Sequence, residues 1–223
     1  MIKELKDYIK ESRLSFLISF IFLFASYGLM LVSTSFSIDS EHFINSIPYE
    51  WWNDLGRWGL TLVNKIFCLD KLVLFFNDYF TVIFLALFIV AFCFLLYLYI
   101  PKEYKKTYLK LQFIFPIVFL TNPIFAEQFN FSMQNVAVSL GLLLIPIMFI
   151  SYYYVTKFDK YIKIVSFIGI VITTVIFGIY QSLIVYYIAV VIVLYLLRCI
   201  NNGENNYKFL INETNSKIFR CRK

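Results

Sequence analysis

Long uncharged apolar runs recur along this chain, and nothing else in it constrains the fold so tightly. About 20 apolar residues in helical form cross the roughly 30 Å hydrocarbon core of a bilayer. Leu14 to Ile38, Tyr79 to Pro101 and Gln128 to Thr156 each exceed that length without one Asp, Glu, Lys or Arg. With 61% hydrophobic and 15% charged residues, the chain lies well outside the range of ordinary soluble domains. The fold class expected is therefore all-α, a polytopic transmembrane helical bundle.

Two further stretches need interpretation. Leu111 to Ala126 is shorter and contains Pro116, which predicts a kinked span ending near Asn122-Pro123, with a neighbouring helix satisfying the freed carbonyl. Ile164 to Leu197 is uncharged throughout and as one helix would run about 50 Å, well beyond the bilayer core. A hairpin of two spans fits better. Its natural break is Gly178-Ile179-Tyr180-Gln181-Ser182, where glycine loosens the helix and polar side chains suit an interface. About six spans result.

Loop charge sets the orientation, because Lys and Arg in short loops mark the cytoplasmic side. With the N-terminus inside, segments 1–13, 102–110, 157–163 and 198–223 are cytoplasmic, and only Arg57, Lys65 and Lys71 of the 20 basic residues fall elsewhere. Five spans would put the basic tail outside. Six spans leave both termini in the cytoplasm, with residues 1–200 as the transmembrane domain and 201–223 as a polar tail. The first apolar run is too long for a signal-peptide core and lacks a small-residue cleavage site, so it reads as a retained anchor.

The same distribution excludes other classes. A net charge of +6 requires no nucleic acid, since the basic residues fringe a leaflet whose anionic lipids attract them. The four cysteines are scattered, and His42 is the single histidine, so neither a disulfide framework nor a His/Cys metal cluster is expected. No phosphate-cradling glycine loop or nucleotide signature appears, which disfavours a nucleotide-sugar donor.

Acidic residues follow the opposite pattern. Asp39, Glu41, Glu50, Asp54, Asp70, Asp78 and Glu127 all fall outside, mostly in the segment from Ser37 to Asp78. Asp39 and Glu41 follow the first span directly and would project to one side of an extended strand, close enough to raise one another's pKa or share a divalent metal. Downstream, Trp51-Trp52-Asn53-Asp54-Leu55-Gly56-Arg57-Trp58 and the apolar residues after it predict a helix at the membrane surface. Interface anchoring suffices for Trp51, Trp52 and Trp58, and packing for most of the abundant Phe and Tyr.

Three patches together resemble the bacterial membrane glucosyltransferases of the GtrII type, which modify O-antigen and other surface polysaccharides. The first is Ser37-Ile38-Asp39-Ser40-Glu41 with Gly56-Arg57-Trp58 downstream. The second is Thr121-Asn122-Pro123 followed by Glu127-Gln128, and the third is Tyr180-Gln181. Their order covers nearly the whole chain. Members of that family are longer, so the resemblance also implies a truncated or compact member.

The resemblance implies a GT-C-like fold that takes a sugar from a polyprenyl-phosphate donor on the outer face of the cytoplasmic membrane. The acceptor would be a polysaccharide or glycolipid. A carboxylate of the first outer loop, Asp39 with Glu41 as partner, would accept the proton of the attacking hydroxyl. Arg57 would hold the departing phosphate, and direct displacement would invert the anomeric centre. Glu127, Asn122, Tyr180, Gln181 and Trp52 are candidate substrate contacts. Each also has a structural alternative: a headgroup anchor for Arg57, a helix cap for Glu127, a turn for Asn122-Pro123 and a hairpin for Tyr180-Gln181. No organic cofactor is implied. A flippase for lipid-linked sugars, or a noncatalytic membrane partner, is the competing class and would carry ionisable groups near the bilayer midplane.

Overall fold

The computed structural model describes residues 2–32, 49–67, 74–129, 131, 134–158 and 161–202. Those residues are helical almost throughout. Helix α1 (Ile2–Glu11) is a short amphipathic piece, and α2 (Arg13–Tyr27), prolonged by a 3₁₀ turn at Gly28–Leu31, is the first long apolar helix. The segment that carries Asp39, Glu41 and His42 lies outside the described residues. Helices α3 (Tyr49–Asp54) and α4 (Trp58–Ile66) follow, then the 26-residue α5 (Leu74–Tyr99).

The stretch read as a kinked span is three short helices, α6 (Lys105–Leu111), α7 (Ile114–Leu120) and α8 (Pro123–Phe129). Pro116 sits in the first turn of α7 and is buried there, where a missing N–H does least harm. The carbonyl it would have bonded belongs to Gln112, and the buried Cys93 thiol of α5 approaches that oxygen at 4.0 Å. Pro123, the first residue of α8, is tolerated for the same reason as Pro116. The expected Gln128–Thr156 span begins later, at α9 (Asn135–Phe158), because α8 occupies its first residues.

The hairpin is present as expected. Helix α10 (Ile162–Ile179) ends at an extended Tyr180 with φ −156° and ψ 121°, a turn at Gln181-Ser182 reverses the chain, and α11 (Leu183–Asn202) returns.

Five helices are long and apolar enough to cross a membrane unaided: Arg13–Leu31, Phe76–Tyr99, Asn135–Thr156, Ile162–Ile179 and Leu183–Ile200. The broken α6–α8 stretch runs beside the first of these from end to end. Ser15 Oγ near the start of α2 donates to the Leu109 carbonyl at 2.8 Å, while Tyr27 at its far end meets Phe129 edge-on at 5.5 Å.

Packing separates centre from periphery. In α5 and α9 56% of the apolar window is buried, against 17% in α10 and α11, so the first two form the central pair. Exposed apolar residues on the outer helices carry no penalty in lipid, whose tails are as apolar as leucine. An aromatic ladder ties the broken stretch to α5: Phe92 stacks on Phe115 at 4.3 Å, Phe88 meets Phe119 at 5.0 Å, and Phe119 meets Phe125 at 4.2 Å.

The molecule has two distinct ends. At one, Tyr154 donates to Glu4 at 2.8 Å and Lys105 lies 4.1 Å above the Tyr97 ring. Buried Tyr8 of α1 donates to Gln112 at 2.6 Å, and burial holds its phenol well above the usual range, so it keeps the proton that makes the bond. This is the lysine-bearing end. The opposite end gathers α3, α4, the starts of α5 and α9, and the α10–α11 turn, and it carries Arg57.

Candidate functional site

The polar constellation at the Arg57 end starts from a helix stop. Leu55-Gly56-Arg57 closes α3, with Gly56 at φ +73°, a left-handed conformation that favours glycine. The Gly56 N–H bonds the Asn53 carbonyl at 2.9 Å and the Arg57 N–H bonds the Trp52 carbonyl at 2.8 Å. This is the paired pattern of a glycine-terminated helix. It fixes the backbone from which the Arg57 side chain leaves.

A second device brings that backbone to the hairpin turn. A Cβ placed on Gly59 would lie 2.6 Å from Gly178 C and from Ile179 N, and one placed on Gly178 would lie 2.5 Å from the Trp58 ring. Only glycine at both positions lets α4 cross the end of α10 so closely. As a result Arg57 Cζ stands 5.0 Å over the Tyr180 ring, a cation–π distance. Gln181 Nε2 donates to the Leu55 carbonyl at 2.8 Å, locking the turn to the α3–α4 junction.

Arg57 Nη1 also reaches Gln134 Oε1, just before α9, at 3.5 Å. That is long for a bond from a guanidinium. Arg57 Nε is buried and has no hydrogen-bond partner among the described residues. A fork of five donors is therefore held by a ring and one distant amide, with capacity left for an acceptor.

One residue beyond Gln134, a buried acid enters the arrangement. Asn135 Nδ2 donates to Asp78 Oδ1 at 2.9 Å, and Asn135 Oδ1 accepts the Val136 N–H at 2.7 Å. Asp78 is 4% exposed and Asn135 fully buried. The two residues that lead into α9 thus hold an arginine from α4's start and a carboxylate from α5's first turns.

The expected site residues divide accordingly. Arg57, Tyr180 and Gln181 come together. Trp52 shares their end of the molecule but is 1% exposed, packed beneath the junction, while Trp51 and Trp58 are the exposed tryptophans of that element. Asn122 accepts the Ile124 N–H at 3.0 Å, capping α8, and Glu127 lies on the exposed face of α8. Neither forms a hydrogen bond or ion pair with Arg57 among the described residues; the side-chain hydrogen bond from Arg57 goes to Gln134. Asp39 and Glu41 lie outside the described residues.

Sequence reading passed over Gln134 and Asn135 as part of an apolar run and counted Asp78 as one loop acid among several. The available signal is a polar pair near the start of each of the two central helices, Asn77-Asp78 for α5 and Gln134-Asn135 for α9. Such pairs at the margin of a span are costly unless they bond one another.

Comparison with known proteins supplies one match. The sequence model of the family described as "Glucosyl transferase GtrII" matches residues 28–216. No curated protein and no solved structure matches the chain.

Proposed function

The chain belongs to the GtrII glucosyl transferase family, and from that premise we propose that it moves a glucosyl or related hexosyl residue from a polyprenyl-phosphate donor to a surface polysaccharide or glycolipid. The observation that carries the donor assignment is the Arg57 guanidinium. It is oriented by Tyr180, only loosely engaged by Gln134, and has a buried Nε with no bond among the described residues. A planar fork with unused donors at the end of a helical bundle suits a phosphate monoester or diester. A phosphate leaving group gains negative charge as the glycosidic bond breaks, and a preorganised cation stabilises that charge more in the transition state than in the ground state.

The acceptor hydroxyl needs a base, and we assign that role to Asp39 with Glu41 as its neighbour. Leu31 and Tyr49, the nearest helical residues on either side of their segment, belong to elements whose neighbours cluster at the Arg57 end: Tyr27, just before the 3₁₀ turn, packs on Phe129 and α3 packs on α4. That connectivity supports a base and a phosphate holder at one end of the protein. The Lys distribution supports placing this end on the noncytoplasmic face and both termini in the cytoplasm. Attack opposite the leaving phosphate, in one displacement, inverts the anomeric carbon.

The test is transfer by purified protein in lipid nanodiscs, supplied with polyprenyl-phosphate glucose and surface polysaccharide and read by mass spectrometry. The expected result is hexosylated acceptor from the wild type and none from Asp39→Asn at equal protein abundance. Near-normal turnover by Asp39→Asn removes Asp39 from the chemistry, and no product from the wild type removes the transfer reading.

A further inference from the structure

The mechanism above leaves a buried carboxylate unused, Asp78, and its surroundings tie it to Arg57. Asp78 lies in the first turns of a long apolar helix at 4% exposure, with Asn135 Nδ2 on its Oδ1 at 2.9 Å. A carboxylate at membrane depth is expensive to keep and is normally retained for function. Its partner is itself fully buried and adjoins Gln134, whose Oε1 meets Arg57 Nη1. The backbone link between the two amide side chains is a single peptide bond, so rotation or displacement of Asn135 moves the acceptor that Arg57 uses.

We propose that Asp78 is a positioning residue for the donor phosphate, acting through Asn135 and Gln134 on the Arg57 guanidinium. This rests on the reading of Arg57 as phosphate holder. By accepting from Asn135, Asp78 fixes the first residues of α9 against α5. Gln134 is then presented to Nη1, and the guanidinium keeps its place over the Tyr180 ring. Asp78 touches no substrate in this scheme. It sets where the phosphate oxygen is met.

A role confined to holding α5 against α9 predicts something different. Loss of the Asp78 acceptor would then lower stability, and any effect on phosphate binding would be the same whatever stands at position 57. A positioning role makes the two residues non-additive.

The experiment measures binding of a polyprenyl monophosphate to the purified full chain in nanodiscs, with thermal stability recorded for each variant. Asp78→Leu removes the acceptor at similar volume and is expected to weaken binding about five-fold. Asp78→Asn, which keeps an acceptor oxygen, is expected to restore most of it. In an Arg57→Lys background, which lacks the fork, Asp78→Leu is expected to cause no further loss. Gln134→Leu cuts the same link at a partly exposed site and is expected to reproduce the weakening even where Asp78→Leu fails to fold. Unchanged binding in Gln134→Leu, or an equal loss from Asp78→Leu with arginine or lysine at position 57, overturns the proposal. Absence of polyprenyl monophosphate binding by the wild type, in contrast, overturns the donor assignment and this inference with it.

Discussion

Arg57 shows how much chemistry depends on conformation that a residue does not choose for itself. Its guanidinium is placed by the Gly56 turn, by the Tyr180 ring face at 5.0 Å and by one long contact to Gln134. Lysine at the same position keeps the charge but loses the planar fork and the stacking. Arg57→Lys is therefore expected to lower kcat/KM for the lipid-linked donor by about ten- to a hundred-fold, of the size seen when a charge-assisted bond is lost, with little change in stability. Steady-state kinetics on the reconstituted protein check this. Tyr180→Leu is expected to act in the same direction more weakly, since a cation–π contact at a partly exposed site contributes about 0.5–1 kcal/mol.

At the scale of elements, the junction of α3, α4 and the hairpin turn carries the proposed phosphate site. Gly59 and Gly178 let two backbones approach to a separation that a side chain would forbid. Gly59→Val is expected to push α4 off α10, destabilise the protein by about 1–3 kcal/mol as overpacking does, and lower donor affinity together with stability. Thermal unfolding followed beside phosphate binding tests the coupling. Tyr8→Phe, at the other end, is expected to cost about 1 kcal/mol through the lost bond to Gln112 and to leave phosphate binding untouched.

This is also the scale at which the sequence was most and least legible. Runs without charge located the long helices, and Gly178 to Ser182 located the hairpin, because bilayer thickness and helical rise leave little freedom. The Cys93 thiol stands 4.0 Å from the Gln112 carbonyl, which Pro116 leaves without an N–H partner. The start of α9 was misplaced because Phe129 and Phe131 continue the apolar pattern across a helix boundary. Gln134, Asn135 and Asp78 were missed because their meaning lies in contacts across 57 positions or more of sequence, which periodicity does not encode. Of the patches that carry the likeness to a family, Arg57 and Tyr180-Gln181 lie together in the fold, while Asn122 and Glu127 stand on α8 without a hydrogen bond to Arg57 among the described residues.

For the molecule as a whole, the division into a lysine-bearing end and an arginine end organises everything else. Helices α5 and α9 form a packed centre, α10 and α11 present mostly lipid-facing surface, and the broken α6–α8 stretch completes the passage from one end to the other. The proposed orientation, with the arginine end on the noncytoplasmic face, is open to a direct check. Cysteine-accessibility labelling is expected to find substituted Gln181 open to a membrane-impermeant reagent from the noncytoplasmic side and substituted Lys106 protected until the membrane is permeabilised. The opposite pattern would invert the topology.

The central claim is that the lipid-linked phosphate binds at the arginine end, and photocrosslinking tests it most directly. A polyprenyl monophosphate with a diazirine beside the phosphate, irradiated with the protein in nanodiscs and mapped by peptide mass spectrometry, is expected to label peptides containing Arg57 and Tyr180. Labelling confined to peptides around Lys105 and Lys106, at the opposite end, would contradict the account.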